Sequence, residues 1–154
     1  MAEVVLHEVL ARSGLAGAVN VESAGTGDWH VGEPMFAEAR AELARRGYDG
    51  SAHQARQIQP SWLHRYDLVV AMDRANLAAL QRMAPDDDSA GRIRLLRTFD
   101  PALQPGDRYH GEVPDPFGGE PEDYALAFDL VLAATTGLAE QLAALPGVPA
   151  HERT

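Results

Sequence analysis

The chain contains no cysteine and no lysine, so all 13 of its basic residues are arginines. The lack of cysteine excludes disulfide bonds and thiolate metal sites, although it does not identify the compartment. Acidic residues number 23, which gives a formal net charge of −10. This balance argues against binding to nucleic acid, because phosphates require a basic face. Any phosphate site must therefore be local, built from backbone N–H groups and one or two arginines.

Long apolar runs are also lacking. No run approaches the roughly 18 residues that span a bilayer, and Glu3, His7 and Glu8 interrupt any signal-peptide core at the start. These absences predict a cytoplasmic protein with no membrane partner. With 154 residues, 45% of them hydrophobic, the chain is long enough for one domain with a buried core.

Apolar periodicity predicts the elements of the fold. Val5, Leu6, Val9 and Leu10 recur at helical spacing, and the continuous apolar run at 67–72 is typical of a buried parallel strand. The patterns together predict helices at 1–13, 34–46, 73–83 and 121–145, strands at 19–23, 67–72 and 93–96, a solvated turn at 86–88, and a loop at 97–117.

Alternating helices and short apolar strands predict an α/β fold with a parallel sheet. Domains of this kind usually open with a strand, followed by a loop that presents a ligand site to the first helix. Here the first helix has neither a preceding strand nor a side chain suited to cap it. The domain is predicted to cover residues 1–145, with a flexible tail at 146–154.

Four short segments carry the functional signal. They are Met1-Ala2-Glu3; Ser23 to Gly32; Ala52 to Gln57, which is followed by 67–76; and Val113 to Gly119. In this order and spacing they closely resemble the low-molecular-weight protein-tyrosine phosphatases over essentially the whole chain. The related arsenate reductases share the fold but match less well around Asp115-Pro116.

The resemblance implies a three-layer fold with a short parallel sheet in the strand order 2-1-3-4. In that family the first strand is central and ends in a Cys-x5-Arg-Ser-Pro loop, which is followed by a stretch like Met-Ala-Glu. The sequence begins at that stretch, so we expect an N-terminally truncated chain that lacks the central strand, the nucleophile and the arginine that holds phosphate. Both neighbouring strands would lose hydrogen-bond partners. We therefore expect a chain of low stability, or one that completes its sheet with another strand.

The resemblance also assigns roles to five residues. Asp115 matches the general acid, Trp29 and Phe117 match walls of the phosphotyrosine pocket, and Ser23 and His53 match residues that support the phosphate loop. Four of them also have a simpler explanation: a turn for Asp115-Pro116, a partly buried aromatic for Trp29, a strand-end serine for Ser23 and a surface histidine for His53.

Two departures and one ambiguity accompany this match. Phe117 and Gly118 stand where the family has two tyrosines, so one pocket wall is narrower and the substrate preference is open. Asp73 matches a family aspartate, but it equally suits the N-cap of the helix that follows.

The predicted chemistry needs no metal and no cofactor. The histidines show no metal-like spacing. The resemblance implies phosphotyrosine in proteins, or small aryl phosphates, as substrates. Without a thiolate the chain is predicted to be inactive. Two explanations follow: a start assigned too late in a complete phosphatase, or a catalytically dead binding or regulatory domain. An arsenate reductase-like member of the same fold is a third alternative.

Overall fold

The structure, a computed structural model, describes residues 1–146. Except for its first residue, the flexible tail predicted at 146–154 lies outside the described residues. The regular elements are α1 (Ala2–Arg12), α2 (Ala37–Arg45), β1 (Val69–Ala71), α3 (Arg74–Met83), α4 (Asp87–Gly91), β2 (Ile93–Leu95) and α5 (Pro121–Ala143). Two 3₁₀ segments, Pro60–Arg65 and Leu96–Phe99, join them.

The sheet confirms the α/β prediction on a small scale. β1 and β2 run parallel, with Val69 opposite Ile93 and Ala71 opposite Leu95. Both strands come from the short apolar runs that predicted them, because parallel strands are covered on both faces. Within residues 1–146 these two strands make up the whole sheet.

The strand predicted at 19–23 does not form, and this prediction was wrong. Val19 and Val21 pack against the main core, as their alternation indicated, but their backbone joins no ladder. A strand requires a neighbouring strand to bond with. Pairing begins only beyond this segment, at an isolated bridge between Gly25 and Gln57.

The turn predicted at 86–88 was also wrong, although its three aspartates are exposed to solvent as predicted. The Asp86 side chain accepts a hydrogen bond from the Ser89 backbone N–H at 2.7 Å and so caps the short helix α4. Asp73 caps α3 in the same way, with the Asn76 N–H at 2.6 Å, which confirms the N-cap interpretation of that residue.

Helix α5 lies at the centre of the main core and packs on α1, α2 and the 3₁₀ segment Leu96–Phe99. The predicted apolar face of α1 is buried against it. By length and composition α5 is apolar enough to cross a membrane. Its apolar residues, Phe128 and Val131 among them, are instead buried in the protein core, which accounts for that composition.

The long loop before α5 is held to the sheet at one point. The Val113 N–H donates to the Met72 carbonyl at 2.8 Å, directly after β1. This contact brings the Val113 to Gly119 segment to the end of β1, the edge at which parallel α/β folds usually place ligands.

Candidate active site

Ser23 and His53 meet in space although they are far apart in sequence. Ser23 Oγ lies 3.2 Å from His53 Nε2. Both side chains also face Glu3 in the first turn of α1. Ser23 donates a hydrogen bond to the Glu3 carboxylate, and His53 Nε2 lies 3.6 Å from Glu3 Oε2. The two predicted support residues therefore share one carboxylate.

His53 is held in an environment that disfavours its charge. Only 18% of its side chain is exposed, and no atom among residues 1–146 bonds its buried Nδ1. Burial lowers the pKa of His53, and the positive α-amino group and Arg56 act in the same direction, while Glu3 opposes them. The surface-histidine interpretation of His53 was therefore wrong.

An open, polar depression of about 280 Å³ lies beside this cluster. Its lining comes from Glu3, from residues 20–22 and from the 52–56 segment, including His53 and Arg56. Arg56 ties the two sides together, because its guanidinium donates to the Ser23 carbonyl at 3.0 Å and lies 3.7 Å from Glu22.

Asp115 lies on an exposed turn after Val113. Its Oδ1 accepts the Phe117 N–H at 3.0 Å, an Asx-type turn that orients the two residues relative to each other. The carboxylate is exposed to solvent and therefore free to meet an incoming group. Both the simple turn interpretation and the catalytic one are compatible with this geometry.

The Phe117 ring joins two loops. It lies 5.0 Å from the Phe36 ring and 6.2 Å from the His30 ring, centroid to centroid, at tilted angles that suit aromatic pairs. Trp29 is 77% exposed, so the simpler explanation for it, a partly buried aromatic, was wrong. Its indole folds back over Gly27, where a Cβ would collide with the ring.

The loop that carries Asp115 is anchored from inside by Arg97, which is 4% exposed. Its guanidinium makes two hydrogen bonds to Asp107, at 2.8 and 3.2 Å. Asp107 in turn accepts the Tyr109 and Gly111 N–H groups at 3.0 and 3.1 Å. This arrangement fixes the backbone that leads into Val113 and Asp115.

The predicted site residues thus fall into two groups. Ser23 and His53 meet at Glu3, and Phe117 with Asp115 meets the loop of Trp29. Sequence reasoning assigned no role to Glu3, Phe36 or Arg97, because each gains its role from a long-range contact. Within the described chain, no cluster of three histidine, aspartate or glutamate side chains has an arrangement that could hold a metal ion.

Comparison with known proteins decides the family. The sequence model of the family described as "Low molecular weight phosphotyrosine protein phosphatase" matches residues 1–145. The chain belongs to the low-molecular-weight phosphotyrosine protein phosphatase family. It is 46% identical over 138 residues to a low molecular weight protein-tyrosine-phosphatase of Streptomyces coelicolor, covering 90% of this chain and 82% of that protein. It is 36% identical over 138 residues to low molecular weight protein-tyrosine phosphatase A of Mycobacterium tuberculosis, covering 90% and 80%.

Solved structures of such phosphatases share the fold. A protein tyrosine phosphatase from Entamoeba histolytica with Hepes in the active site superposes with a TM-score of 0.84 at 25% identity, covering 92% of this chain and 86% of that one. YfkJ from Bacillus subtilis gives a TM-score of 0.81 at 26% identity, covering 92% and 84%. The likeness to tyrosine phosphatases predicted from the four motifs is therefore confirmed at the level of family and α/β fold.

Family membership makes the cysteine content significant. Cysteine thiolates are strong nucleophiles, and these 154 residues contain no cysteine. The hydroxyl of Ser23 is hydrogen-bonded to a carboxylate, and His53 lies beside it. In this phosphatase-family chain the two form part of a polar network around Glu3.

Proposed function

We propose that residues 1–145 serve the hydrolysis of phosphotyrosine in proteins, or of small aryl phosphates, through a cysteinyl-phosphate whose thiolate comes from outside these 154 residues. Asp115 is the general acid in this proposal. The observation that carries it is the exposed Asp115 carboxylate beside the exposed Phe117 ring, in a chain of the phosphotyrosine phosphatase family.

The leaving group explains why an acid is needed. A departing phenoxide is the conjugate base of a group with a pKa of about 10, so its expulsion is assisted by a proton. Asp115 in its carboxylic acid form supplies that proton to the bridging oxygen as the P–O bond breaks. Such assistance typically contributes about 10² to 10⁴ in rate.

The nucleophile decides whether the polypeptide acts alone. Loss of a nucleophile in other hydrolases costs about 10⁶ in rate, which a general acid cannot offset. We therefore expect the 154-residue polypeptide, in the cytoplasm or in vitro, to be inactive by itself. Trp29 and Phe117 form the walls that hold the aromatic ring of the substrate, and Ser23 with His53 supports the loop that carries the thiolate. In the structure the Glu3 carboxylate accepts a hydrogen bond from the Ser23 hydroxyl and lies close to the His53 imidazole.

The alternative is a catalytically dead binding domain. The exposed rings of Trp29 and Phe117 favour it, because they present a binding surface that does not depend on a thiolate. Aryl-phosphate turnover in a form that contains the thiolate distinguishes an enzyme from such a domain. An arsenate reductase-like role also needs thiol chemistry, and it predicts arsenate-dependent thiol oxidation in place of phosphate release.

The test uses two proteins. The 154-residue polypeptide is assayed for phosphate release from phenyl phosphate, with no turnover above the buffer blank expected. A fusion that adds a strand and the family's Cys-x5-Arg-Ser-Pro loop before Met1 is then expected to turn over, whereas its Cys→Ser counterpart is not. Turnover by the polypeptide alone would contradict the requirement for an outside thiolate.

Asp115→Asn in the active fusion tests the acid. Its kcat on phenyl phosphate is expected to fall by about 10² to 10⁴. Glu140→Asn, an exposed change far along α5, is the control and should leave kcat unchanged. If Asp115→Asn leaves the kcat of the active fusion unchanged, Asp115 is not the general acid.

A further inference from the structure

Exposed apolar side chains gather on one side of the described molecule. Five large hydrophobic side chains are exposed in residues 1–146, and four of them are Trp29 at 77%, Val31 at 55%, Phe36 at 46% and Phe117 at 61%. We call these four residues the aromatic face. Monomeric proteins seldom leave such groups together in water unless they bind something.

Ring contacts connect Phe36 with Phe117 across the aromatic face, and Trp29 and Val31 belong to it as chain neighbours of His30. Phe117 packs on Phe36 and on His30, and His30 lies between Trp29 and Val31 in the chain. The face therefore joins the 28–36 loop, the start of α2 and the turn at Asp115. It extends beyond what a single phosphotyrosine ring can cover, since Val31 and Phe36 add apolar surface to the two predicted pocket walls.

Carboxylates without arginine partners accompany this face. Asp28, Glu33, Glu38 and Asp115 are all exposed, and within the described chain no arginine lies within ion-pair distance of any of them. The Glu33 carboxylate pairs with His30, with its Oε2 2.7 Å from Nδ1.

Some acidic residues elsewhere on the molecule have the arginine partners that these four lack. Glu42 is bonded by two arginines at 2.6 and 2.9 Å, and Asp107 and Glu112 also have arginine partners. The phenol of the buried Tyr124 senses two of these carboxylates. Burial raises the pKa of Tyr124, and the negative charges of Glu38 and Asp115 raise it further. Both carboxylates therefore lie within electrostatic range of one phenol, beside the aromatic face.

We propose that the aromatic face binds a peptide segment in which tyrosine and neighbouring apolar residues are flanked by arginine or lysine. The apolar side chains would cover Trp29, Val31, Phe36 and Phe117, and the basic ones would pair with the four carboxylates that lack arginine partners. The phosphotyrosine substrates of this site are then basic segments, not acidic ones. Only this last step rests on the proposed function, since peptide binding itself does not need a phosphate site.

Charge complementarity selects this occupant over a second copy of the chain. Two aromatic faces brought together would place eight carboxylates without arginine partners in one interface, and like charges at an interface oppose association. A basic peptide meets the same carboxylates with opposite charge. Its affinity should therefore fall as salt is added, because exposed charge pairs are screened.

Trp29 reports on binding directly. With Trp62→Phe, Trp29 is the only tryptophan of the chain, and the full 154-residue polypeptide is titrated with two unphosphorylated peptides while its fluorescence is recorded. One peptide is Arg-Arg-Leu-Tyr-Leu-Arg-Arg and the other Glu-Glu-Leu-Tyr-Leu-Glu-Glu. We expect saturable binding of the basic peptide with an affinity at least about tenfold higher than that of the acidic one. Equal affinities, or a preference for the acidic peptide, would overturn the proposal.

Matched variants locate the contact. Glu33→Gln and Glu38→Gln are each expected to weaken the basic peptide by about two- to fivefold, the range of an exposed charge pair. Glu140→Gln also removes one negative charge, but at a position about 30 Å along α5 from the start of that helix, and it should leave the affinity unchanged. If all three variants weaken binding equally, the attraction comes from net charge and the proposal fails. Phe36→Ala should weaken the binding further, and no effect of this change would also count against the face.

Two further readouts separate the alternatives. Sedimentation velocity of the free polypeptide is expected to show a monomer, and a dimer abolished by Phe36→Ala would identify a second copy as the occupant instead. In the active thiolate-bearing fusion, kcat/KM for a phosphotyrosine peptide should be higher with arginine than with glutamate flanks. Failure of turnover with intact peptide binding would count against the proposed enzyme function and leave the binding face standing.

Discussion

Ser23 Oγ lies 3.2 Å from His53 Nε2, although 30 residues separate them in the sequence. Glu3 from α1 is the third member of this cluster, and its carboxylate accepts a hydrogen bond from the Ser23 hydroxyl. One helix and two loops thus meet at a partly buried network of three polar side chains. Networks of this kind make stability depend on protonation, because each partner must stay in the right charge state.

The first prediction is a pH dependence of stability that originates at His53. Burial lowers the pKa of His53 in the folded chain, so the unfolded chain binds the proton first as the pH falls. The stabilising contribution is therefore present above the ordinary histidine pKa of about 6.5 and is lost as the pH falls through that value toward the lower folded pKa. Between about pH 7.5 and about pH 5.5 the Tm of the wild type should fall more than that of His53→Gln.

Thermal melts followed by circular dichroism at several pH values test this. His64→Gln is the control, because His64 is exposed and lies in the 3₁₀ segment Pro60–Arg65, not in the network around Glu3. Its pH profile should follow the wild type. Parallel profiles for the wild type and His53→Gln would show that His53 does not couple folding to pH.

The local elements could be predicted from sequence because local rules create them. The helical spacing of apolar residues from Val5 to Leu10 correctly predicted α1, and the apolar run at 67–72 correctly predicted β1. At 19–23 the same reasoning was wrong, since alternation shows which side chains are buried but not whether a neighbouring strand exists. Val19 and Val21 pack on the core without a ladder partner.

The site was only partly accessible to sequence reasoning. Motif resemblance identified Ser23 and His53, and the structure places them in contact. Glu3 could not be assigned, because an acidic residue in a first helical turn is ordinarily explained by the helix dipole. Phe36 lay within the helix predicted at 34–46 without a role in the site, whereas it is 46% exposed and packs on Phe117. Such contacts depend on how loops meet, which no local spacing records.

The second prediction concerns the buried guanidinium of Arg97. It makes two hydrogen bonds to Asp107, which organises the loop toward Val113. Removing the guanidinium also leaves the buried Asp100 carboxylate, whose Oδ2 lies 3.4 Å from Arg97 Nη2, without its cation, and breaking such a buried pair typically costs about 3–5 kcal/mol. We expect Arg97→Met to lower the free energy of unfolding by that order, measured by urea denaturation. Arg82→Met, an exposed arginine in the last turn of α3, should change it by less than about 0.5 kcal/mol.

The same pair has an acid signature. Hydrogen bonds from Arg97 lower the pKa of Asp107, and the Gly111 N–H adds to this effect. The stabilisation is therefore present above the ordinary aspartate pKa and is lost as the pH falls through the lower folded value. The gap in unfolding free energy between wild type and Arg97→Met should narrow below about pH 4. A gap that stays constant into acid would mean that Arg97 stabilises by packing alone.

The third prediction tests the close approach of α5 to the 3₁₀ segment Leu96–Phe99. A Cβ on Gly137 would collide with the Phe99 carbonyl oxygen and lie 3.0 Å from Pro101 Cδ. Helix propensity alone favours Gly137→Ala by about 1 kcal/mol, but overpacking costs about 1–3 kcal/mol or more. The clash is with backbone, so we expect a net destabilisation and a lower Tm.

Gly91→Ala is the matched helical control. Nothing lies within 4 Å of the position that its Cβ would occupy, and the residue ends α4 without a positive φ. Its unfolding free energy should stay equal to or slightly above that of the wild type. If Gly137→Ala is as stable as Gly91→Ala, α5 and the 3₁₀ segment lie further apart than the structure shows.

The last prediction separates capping from chemistry at Asp73. Its side chain accepts the Asn76 N–H at 2.6 Å, which satisfies one free donor at the start of α3. Loss of an N-cap costs about 0.5–2 kcal/mol, so Asp73→Ala should lower the unfolding free energy by about 1 kcal/mol. Serine is also a good N-cap residue, and Asp73→Ser should therefore recover most of that loss. In the active fusion, a purely capping residue predicts that Asp73→Ser keeps kcat, while a fall in kcat without a fall in stability would assign Asp73 a second role in the site.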